Sequence, residues 1–433
     1  MTTVGELVDA LHAHALLTPV QLEEIRQRHE NRFPDPKSLA KYLVQRRWLT
    51  IYQYQQILQG NPAELAVGPY RILDPLGRGG ACQVFQAWDT VHQRIVALKM
   101  IHPDLMTNAE AVGRLQREML AAIRLDHPNI VKALDVDLEN QRHYYALEFV
   151  SGTDLQRLLH LSGALPLMQA CTYARQAALG LQHAYELGLV HRDIKPGNLV
   201  RLEGTNIIKI LDFGLARLQL SGSTLLNVNL TAEGSLIGTA DYLAPEQARA
   251  PSSVDIRADI YSLGCTLYHM LAGVPPFPGG SAMQKVFRHT SEEPLSVEKR
   301  AAEVPPPLAQ VVARMMAKKA EDRYKTPAAV AAALAQFSAA ANADLASPVW
   351  PPVPAPVKPM PSVTSRETVS IGSGEDLDLF GSNSARTAAD VPLPEWPPTP
   401  GAGRPYPIQN PTPGPRPSQP PYPGTTSTPH KPK

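Results

Sequence analysis

The chain has 433 residues, 43% of them hydrophobic and 19% charged. That is enough apolar material for a sizeable core and excludes wholesale disorder. Forty-one basic against 40 acidic residues leave a net charge of +1, which supplies no global pull toward nucleic acid or an anionic membrane.

The N-terminus, MTTVGELVDALHAH, carries acidic residues where a signal peptide needs a basic start and an apolar core. Apolar spacing predicts helices: Val4, Leu7, Val8, Leu11 and His14 fit one face, Leu39, Tyr42, Leu43 and Trp48 another, Tyr52, Gln55 and Leu58 a third. Thr18–Pro19 reads as a cap with proline at the first helical position, opening Val20–His29, and Asp35–Pro36 is a second such opening. Residues 1–66 are thus expected to form a small all-α module, either a packing appendage or a docking unit.

From residue 68 the pattern changes. YRILDPLG (70–77), CQVFQAWD (82–89) and RIVALKMI (94–101) read as antiparallel strands. A helix over 108–125 and strands at 130–136 and 143–149 follow. Helices then dominate, at 154–161, 166–187, 255–273, 282–289, 308–316 and 327–337. Strands first and helices afterwards predict an α+β, bilobal domain over 70–337 with a sheet-rich and a helical lobe, and a cleft between lobes is a natural ligand site. The longest apolar stretch, Ile260 to Val274, is too short for a membrane span. Beyond it, 23 of the 43 prolines fall between 341 and 433, so residues 343–433 are expected to be a disordered, Pro-rich tail of polyproline II character. The three cysteines, Cys82, Cys171 and Cys265, lie far apart without CxxC spacing, which fits a reducing, cytoplasmic setting and no zinc site.

Four motifs carry chemistry. LGRGGACQV sets Gly77, Gly79 and Gly80 between two strands, where glycine lets backbone N–H groups approach phosphates. No Gly-Lys-Ser/Thr follows, so it is not a Walker A loop. VALK (96–99) places Lys99 in an apolar strand, where lysine is buried only if paired. Its candidate carboxylates are Glu118, in the helix GRLQREMLAAIRL, and Glu110. HRDIKPGNLV (191–200) gathers a carboxylate, Asp193, an amine, Lys195, and an amide, Asn198, in one short loop. IKILDFGLA then puts Asp212 at a strand end. A proton acceptor, a cation for moving phosphate charge and oxygen ligands suited to Mg²⁺ are what phosphoryl transfer needs.

Together with HPNIV (127–131), GTADYLAPE (238–246), DIYSLG (259–264) and EDR (321–323), these segments resemble the eukaryotic-like protein kinases, in particular bacterial Hanks-type serine/threonine kinases. The helical module before GPYRIL is similar to those of planctomycete-type kinases. The resemblance implies a bilobal protein-kinase fold and a serine/threonine protein kinase that uses ATP and Mg²⁺, autophosphorylates and signals. It implies that Lys99, paired with Glu118, holds the α- and β-phosphates, that Asp193 orients the substrate hydroxyl, and that Lys195 stabilises the transferring phosphoryl group. Asn198 and Asp212 would hold Mg²⁺. Leu76, Gly77, Gly79, Gly80, Val84 and Ala97 would line the nucleotide site, with Leu147 as gatekeeper and Glu148–Val150 as the hinge for adenine. Thr239 would bridge Asp193 and Lys195, Glu246 would pair with Arg323, and Asp259 would anchor the catalytic loop.

Two departures stand out. Cys82 occupies the third glycine position of the loop, either as an inert residue or as an oxidisable thiol above the phosphates. Arg192 precedes Asp193, and in this family such an arginine receives an activation-segment phosphate. Among Ser221, Ser223, Thr224, Thr231 and Ser235, Thr231 is the first candidate and Thr224 the second. A catalytically dead scaffold is opposed by competent residues at Lys99, Glu118, Asp193, Asn198 and Asp212. GTADYLAPE, the peptide-positioning segment, argues against a small-molecule kinase. The expected partners are Ser/Thr protein substrates and binders of the module and the tail, with no nucleic acid and no membrane span.

Overall fold

The computed structural model describes residues 3–28, 33–79, 82–102, 113, 119–139, 142–213, 240–249 and 253–338. Most of the predicted 108–125 helix, the segment 214–239 and the predicted tail lie outside the described residues.

Four helices open the chain: α1 (Val4–Ala13), α2 (Pro19–Arg28), α3 (Pro36–Gln45) and α4 (Ile51–Leu58). Their starts follow the expected caps. The Thr18 hydroxyl accepts from the Gln21 N–H at 3.3 Å, and Asp35 accepts from the Ser38 N–H at 2.9 Å. The predicted face of α4 is wrong. Gln53 and Ile57 are buried, whereas Leu58 is 43% exposed. Burying a glutamine is tolerable only if its amide is hydrogen-bonded, and Gln53 is, as shown below.

Six antiparallel strands follow in the order β1-β2-β3-β4-β6-β5: β1 (Ala66–Val67), β2 (Tyr70–Arg78), β3 (Cys82–Asp89), β4 (Arg94–Ile101), β5 (Ala133–Glu139) and β6 (Arg142–Glu148). Strand alternation splits them by face. Val96 and Leu98 of β4 and Tyr144 and Ala146 of β6 join one apolar cluster, while Lys99 and Leu147 look the other way. That cluster also contains Leu7, Leu11, Ile25, Leu39, Leu43 and Ile57, so the helices α1–α4 roof the sheet face opposite Lys99 and share its core. β5 starts three residues later than expected. Its predicted beginning is spent elsewhere: the Val131 N–H donates to the Ile210 carbonyl at 2.9 Å, and the Ile210 N–H donates to the Asn129 carbonyl at 2.8 Å.

The second lobe carries a small sheet of β7 (Gly152–Asp154), β8 (Leu199–Leu202) and β9 (Ile208–Ile210). Around it stand α5 (Leu155–Ser162), α6 (Leu167–Glu186), α7 (Ile256–Ala272), α8 (Ala282–Ser291), α9 (Pro306–Met315) and α10 (Pro327–Leu334). In α7 every residue but Arg257 and Ala272 is buried. Asp255 caps its start, and Gly273, at φ +72°, ends it in the left-handed region that glycine adopts without strain. α6 approaches β9 closely enough that a Cβ on Gly180 would sit 3.0 Å from the Ile210 Cδ1.

His289 in α8 is 1% exposed, with Nε2 donating to the Asp241 carbonyl at 3.0 Å and Nδ1 accepting from the Tyr261 hydroxyl at 2.8 Å. Burial, aided by Lys318, pushes its pKa down to about 3 from 6.5. The unfolded chain therefore binds the extra proton first, and stability is lost as pH falls below about 6.5 toward the folded value. Between pH 7 and pH 5 this site is expected to cost about 2 kcal/mol. Urea unfolding at the two pH values checks this, and the His289→Gln variant should show a correspondingly shallower pH dependence.

Candidate active site

The site begins with a row across the first sheet: Gly77 stands opposite Val84, Val84 opposite Lys99, and Lys99 opposite Tyr145. Ala97 lies two residues before Lys99 on the same face. The β2–β3 turn is closed by the Gly79 N–H donating to the Cys82 carbonyl at 2.9 Å. Neither Gly77 nor Gly79 has positive φ. A Cβ on Gly77 would meet nothing within 4 Å, and one on Gly79 only the Cys82 carbonyl at 3.8 Å. The fold itself does not demand glycine at these positions, and the room they leave suits phosphate oxygens. Leu76 sits in a bulge of β2 and is 36% exposed.

Lys99 is 3% exposed, and its Nζ lies 2.7 Å from the Asp212 Oδ1. Burial disfavours the ammonium, but Asp212 outweighs it and holds Lys99 above the usual lysine range. Burial would likewise raise Asp212, and the Lys99 charge reverses that, holding the carboxyl below its usual range. The sequence suggested a glutamate for Lys99. Glu118 and Glu110 lie outside the described residues, and the partner within them is Asp212. No local sequence signal links two residues so far apart. Burial pushes the Cys82 thiol up despite the opposing pull of Lys99, which favours the inert thiol over a reactive thiolate.

The catalytic-loop candidates converge on one carboxylate. Asp193 Oδ2 accepts from Lys195 Nζ at 2.8 Å and from Asn198 Nδ2 at 3.0 Å, and Asn198 Nδ2 also donates to the Asp193 carbonyl at 2.7 Å. Asp193 Oδ1 has no partner among the described residues. The loop is fixed from below by Asp259, fully buried, which accepts the N–H groups of His191 and Arg192, each at 2.7 Å. Burial pushes the Asp259 carboxyl up, with His191 and these N–H bonds opposing it. His191 Nδ1 accepts the Asp193 N–H at 3.2 Å, so its Nε2 donates to the Leu211 carbonyl at 2.6 Å. Its ring meets Phe213 edge-on at 4.7 Å. Arg192 (φ +68°) and Asp212 (φ +64°) both hold left-handed backbone. Such strain in non-glycine residues persists where surrounding bonds over-determine it.

Asn198 spends its NH₂ on Asp193, which leaves its Oδ1 as an oxygen donor, and the Leu211 N–H on the Asn198 carbonyl at 2.9 Å keeps its segment next to the one that carries Asp212. Among the described residues no group of three or more His, Cys, Asp or Glu could hold a metal unaided. One carboxylate and one amide fit Mg²⁺, which keeps waters and takes substrate phosphates as its other ligands. At the lobe junction the Glu148 N–H donates to the Lys132 carbonyl at 2.9 Å, and the Glu148 carboxylate pairs with Lys209. The Glu148 N–H is therefore not available to adenine, whereas Val150 has no backbone hydrogen bond within the described residues.

Residues 70–334 match the family model described as "Protein kinase domain". The chain belongs to the protein kinase family. This kinase domain is 38% identical over 269 residues to the serine/threonine-protein kinase PknB of Mycobacterium leprae, covering 61% of this chain and 42% of that protein. It is 36% identical over 276 residues to a probable serine/threonine-protein kinase PknB of Bifidobacterium longum, covering 61% of this chain and 39% of that protein. The chain thus spans less than half the length of these curated relatives. Among solved structures, the Mycobacterium tuberculosis PknI kinase domain aligns with a TM-score of 0.50 at 26% identity, over 63% of this chain and 97% of that one. A double mutant of the same domain aligns at a TM-score of 0.51 and 25% identity, over 63% and 96%. Gly80, Thr224, Thr231 and Thr239 lie outside the described residues, as does Glu118. The Glu246–Arg323 pair is present, with Arg323 Nη1 2.6 Å from Glu246 Oε1. No helix among the described residues is long and apolar enough to cross a membrane.

Proposed function

We propose that this chain transfers the γ-phosphoryl group of ATP directly to serine or threonine hydroxyls of proteins, its own included, and so acts in signalling. The observation that carries the reading is the joining of Asp193, Lys195 and Asn198 on one carboxylate oxygen, together with the pairing of buried Lys99 with the half-buried Asp212. Asp193 uses its remaining oxygen, Oδ1, to orient the substrate hydroxyl and take its proton. Lys195, held 2.8 Å from Asp193, balances the charge of the moving phosphoryl group. Lys99 binds the α- and β-phosphates beneath the open Gly77–Gly79 turn. Leu76, Val84 and Ala97 enclose the base, and Glu148 and Val150 meet its edge. Glu118 completes the Lys99 pair, and Gly80 extends the phosphate turn. Asn198 and Asp212 hold Mg²⁺, which when bound neutralises phosphate charge. The lysine two residues after Asp193 and the named relatives support serine/threonine over tyrosine. The three free cysteines support a reducing, cytoplasmic setting.

The alternative is a kinase-fold scaffold that binds partners through its helices and Pro-rich segment. Intact-mass analysis after incubation with Mg·ATP, beside Lys99→Met, separates them. Added phosphates on the parent and none on the variant are expected, with fragment mapping to locate them at Thr231 or Thr224. A parent that gains no mass and shows no thermal shift with ATP would favour the scaffold.

A further inference from the structure

The roof of helices does more than cover the sheet. β2 pairs in regular register with β3 up to Ile72 and resumes at Asp74, so Leu73 is an inserted bulge residue. A bulge moves every following side chain to the other face. Here it sets Asp74 opposite Gln86 on the Lys99 side, and after the second bulge at Leu76 it brings Gly77 opposite Val84. The position of the phosphate turn relative to Lys99 therefore depends on that inserted residue.

The bulge region is clasped by α4. Thr50 and Gln53 form a reciprocal cap: the Thr50 hydroxyl oxygen accepts the Gln53 N–H at 3.1 Å, and Gln53 Oε1 accepts the Thr50 N–H at 2.9 Å. The cap leaves the hydroxyl proton and the amide NH₂ unspent. The Thr50 hydroxyl donates to the Leu73 carbonyl at 2.5 Å, and Gln53 Nε2 donates to the Ile72 carbonyl at 2.7 Å. Both residues are buried, at 6% and 2% exposure. Between the two clasping residues, the Tyr52 ring lies 6.0 Å from that of Phe85, which pairs with Pro75 at the base of the turn.

We propose that Thr50 and Gln53 are positioning residues for nucleotide binding, holding the β2 bulge in the register that sets the Gly77–Gly79 turn over Lys99. The inference rests on the kinase reading of that site. Each donor that is lost strips one β2 carbonyl of its partner from α4 and frees β2 to adopt other registers.

Thr50→Val and Gln53→Met keep shape, and each removes one donor to β2 together with that residue's half of the cap. Each is expected to raise KM for ATP roughly three- to tenfold, the worth of about one net hydrogen bond, with kcat and peptide KM within about twofold. Thr50→Ser retains the hydroxyl and is expected to restore the parent value. Ile25→Ala, in the fully buried part of α2, serves as the control that loosens the helices without touching the clasp. All variants are assayed at a temperature where each is fully folded. The dissociation constant of a non-hydrolysable ATP analogue is measured in parallel. The proposal is overturned if Thr50→Val and Gln53→Met bind the nucleotide as the parent does, or if Ile25→Ala weakens binding as much as they do. A parent that binds the analogue without transferring phosphate would overturn the kinase reading alone, and the analogue's dissociation constants would still decide the clasp. A parent that binds no nucleotide would overturn both.

Discussion

Asp193→Asn and Asp212→Asn are each expected to lower phosphoryl transfer by at least about 10²–10³-fold, the scale of losing one preorganised electrostatic group. The two should fail in different ways. Asp193 gathers Lys195 and Asn198 on Oδ2. An asparagine has only one acceptor oxygen. If that oxygen keeps Lys195 and Asn198, an NH₂ faces the nucleophile, and a hydroxyl meets a donor where it needs an acceptor. In the proposed function nucleotide binding does not use Asp193, so Asp193→Asn should keep the parent's affinity for Mg·ATP while kcat falls. Asp212→Asn acts on the ground state as well. Lys99 is buried, and it is the Asp212 carboxylate that keeps its ammonium favourable against burial. Without that charge burial is expected to move Lys99 lower, so that the cation and the oxygen ligand proposed for phosphate and Mg²⁺ are both weakened. Nucleotide titration with and without Mg²⁺, followed by peptide phosphorylation, separates the cases. Parent-like turnover by either variant would remove that residue from the chemistry.

Much of this arrangement was legible in the sequence because it is local. Asp193, Lys195 and Asn198 lie within one loop, so their spacing alone foretold a shared role, and the fold joins them directly. The strands β3 and β4 matched their expected ranges because alternation is a short-range signal with a fixed period. What depends on contacts between elements was not legible. Lys99 and Asp212 come from different lobes, and no pattern in either segment announces the other. The face of α4 was misread for a related reason. Apolar spacing selected Tyr52 and Leu58, but the fold buries Gln53, because β2 supplies a carbonyl for its amide. A polar residue is placed by its partner, and the partner lies outside the helix. The start of β5 shifted likewise, once Val131 was claimed by Ile210 in the other lobe.

The pair at the far end of the domain offers the largest expected effect on stability. Arg323 is 1% exposed and uses all five of its N–H donors. Nη1 reaches Glu246 Oε1 at 2.6 Å and the Arg257 carbonyl at 2.8 Å. Nη2 reaches Glu246 Oε2 at 2.9 Å and the Lys318 carbonyl at 3.2 Å, and Nε reaches the Ala317 carbonyl at 2.7 Å. The guanidinium carbon also lies 4.7 Å from the Tyr261 ring centre. One side chain thus ties the helix Pro245–Arg249, the first turn of α7 and the segment after α9. Arg323→Met leaves the Glu246 carboxylate and three carbonyls without their donor, and is expected to cost about 3–5 kcal/mol in urea unfolding. Arg323→Lys should recover little, since a lysine offers three donors from a single point and cannot form the fork. Removing both charges in Arg323→Met/Glu246→Gln should cost less than the sum of the single changes, because the stranded carboxylate is gone, and a double-mutant cycle measures that coupling. If the two single changes instead proved additive, the ion pair would not be what holds these segments together. The three backbone carbonyls would then account for the loss, and Glu246→Gln alone would be nearly silent.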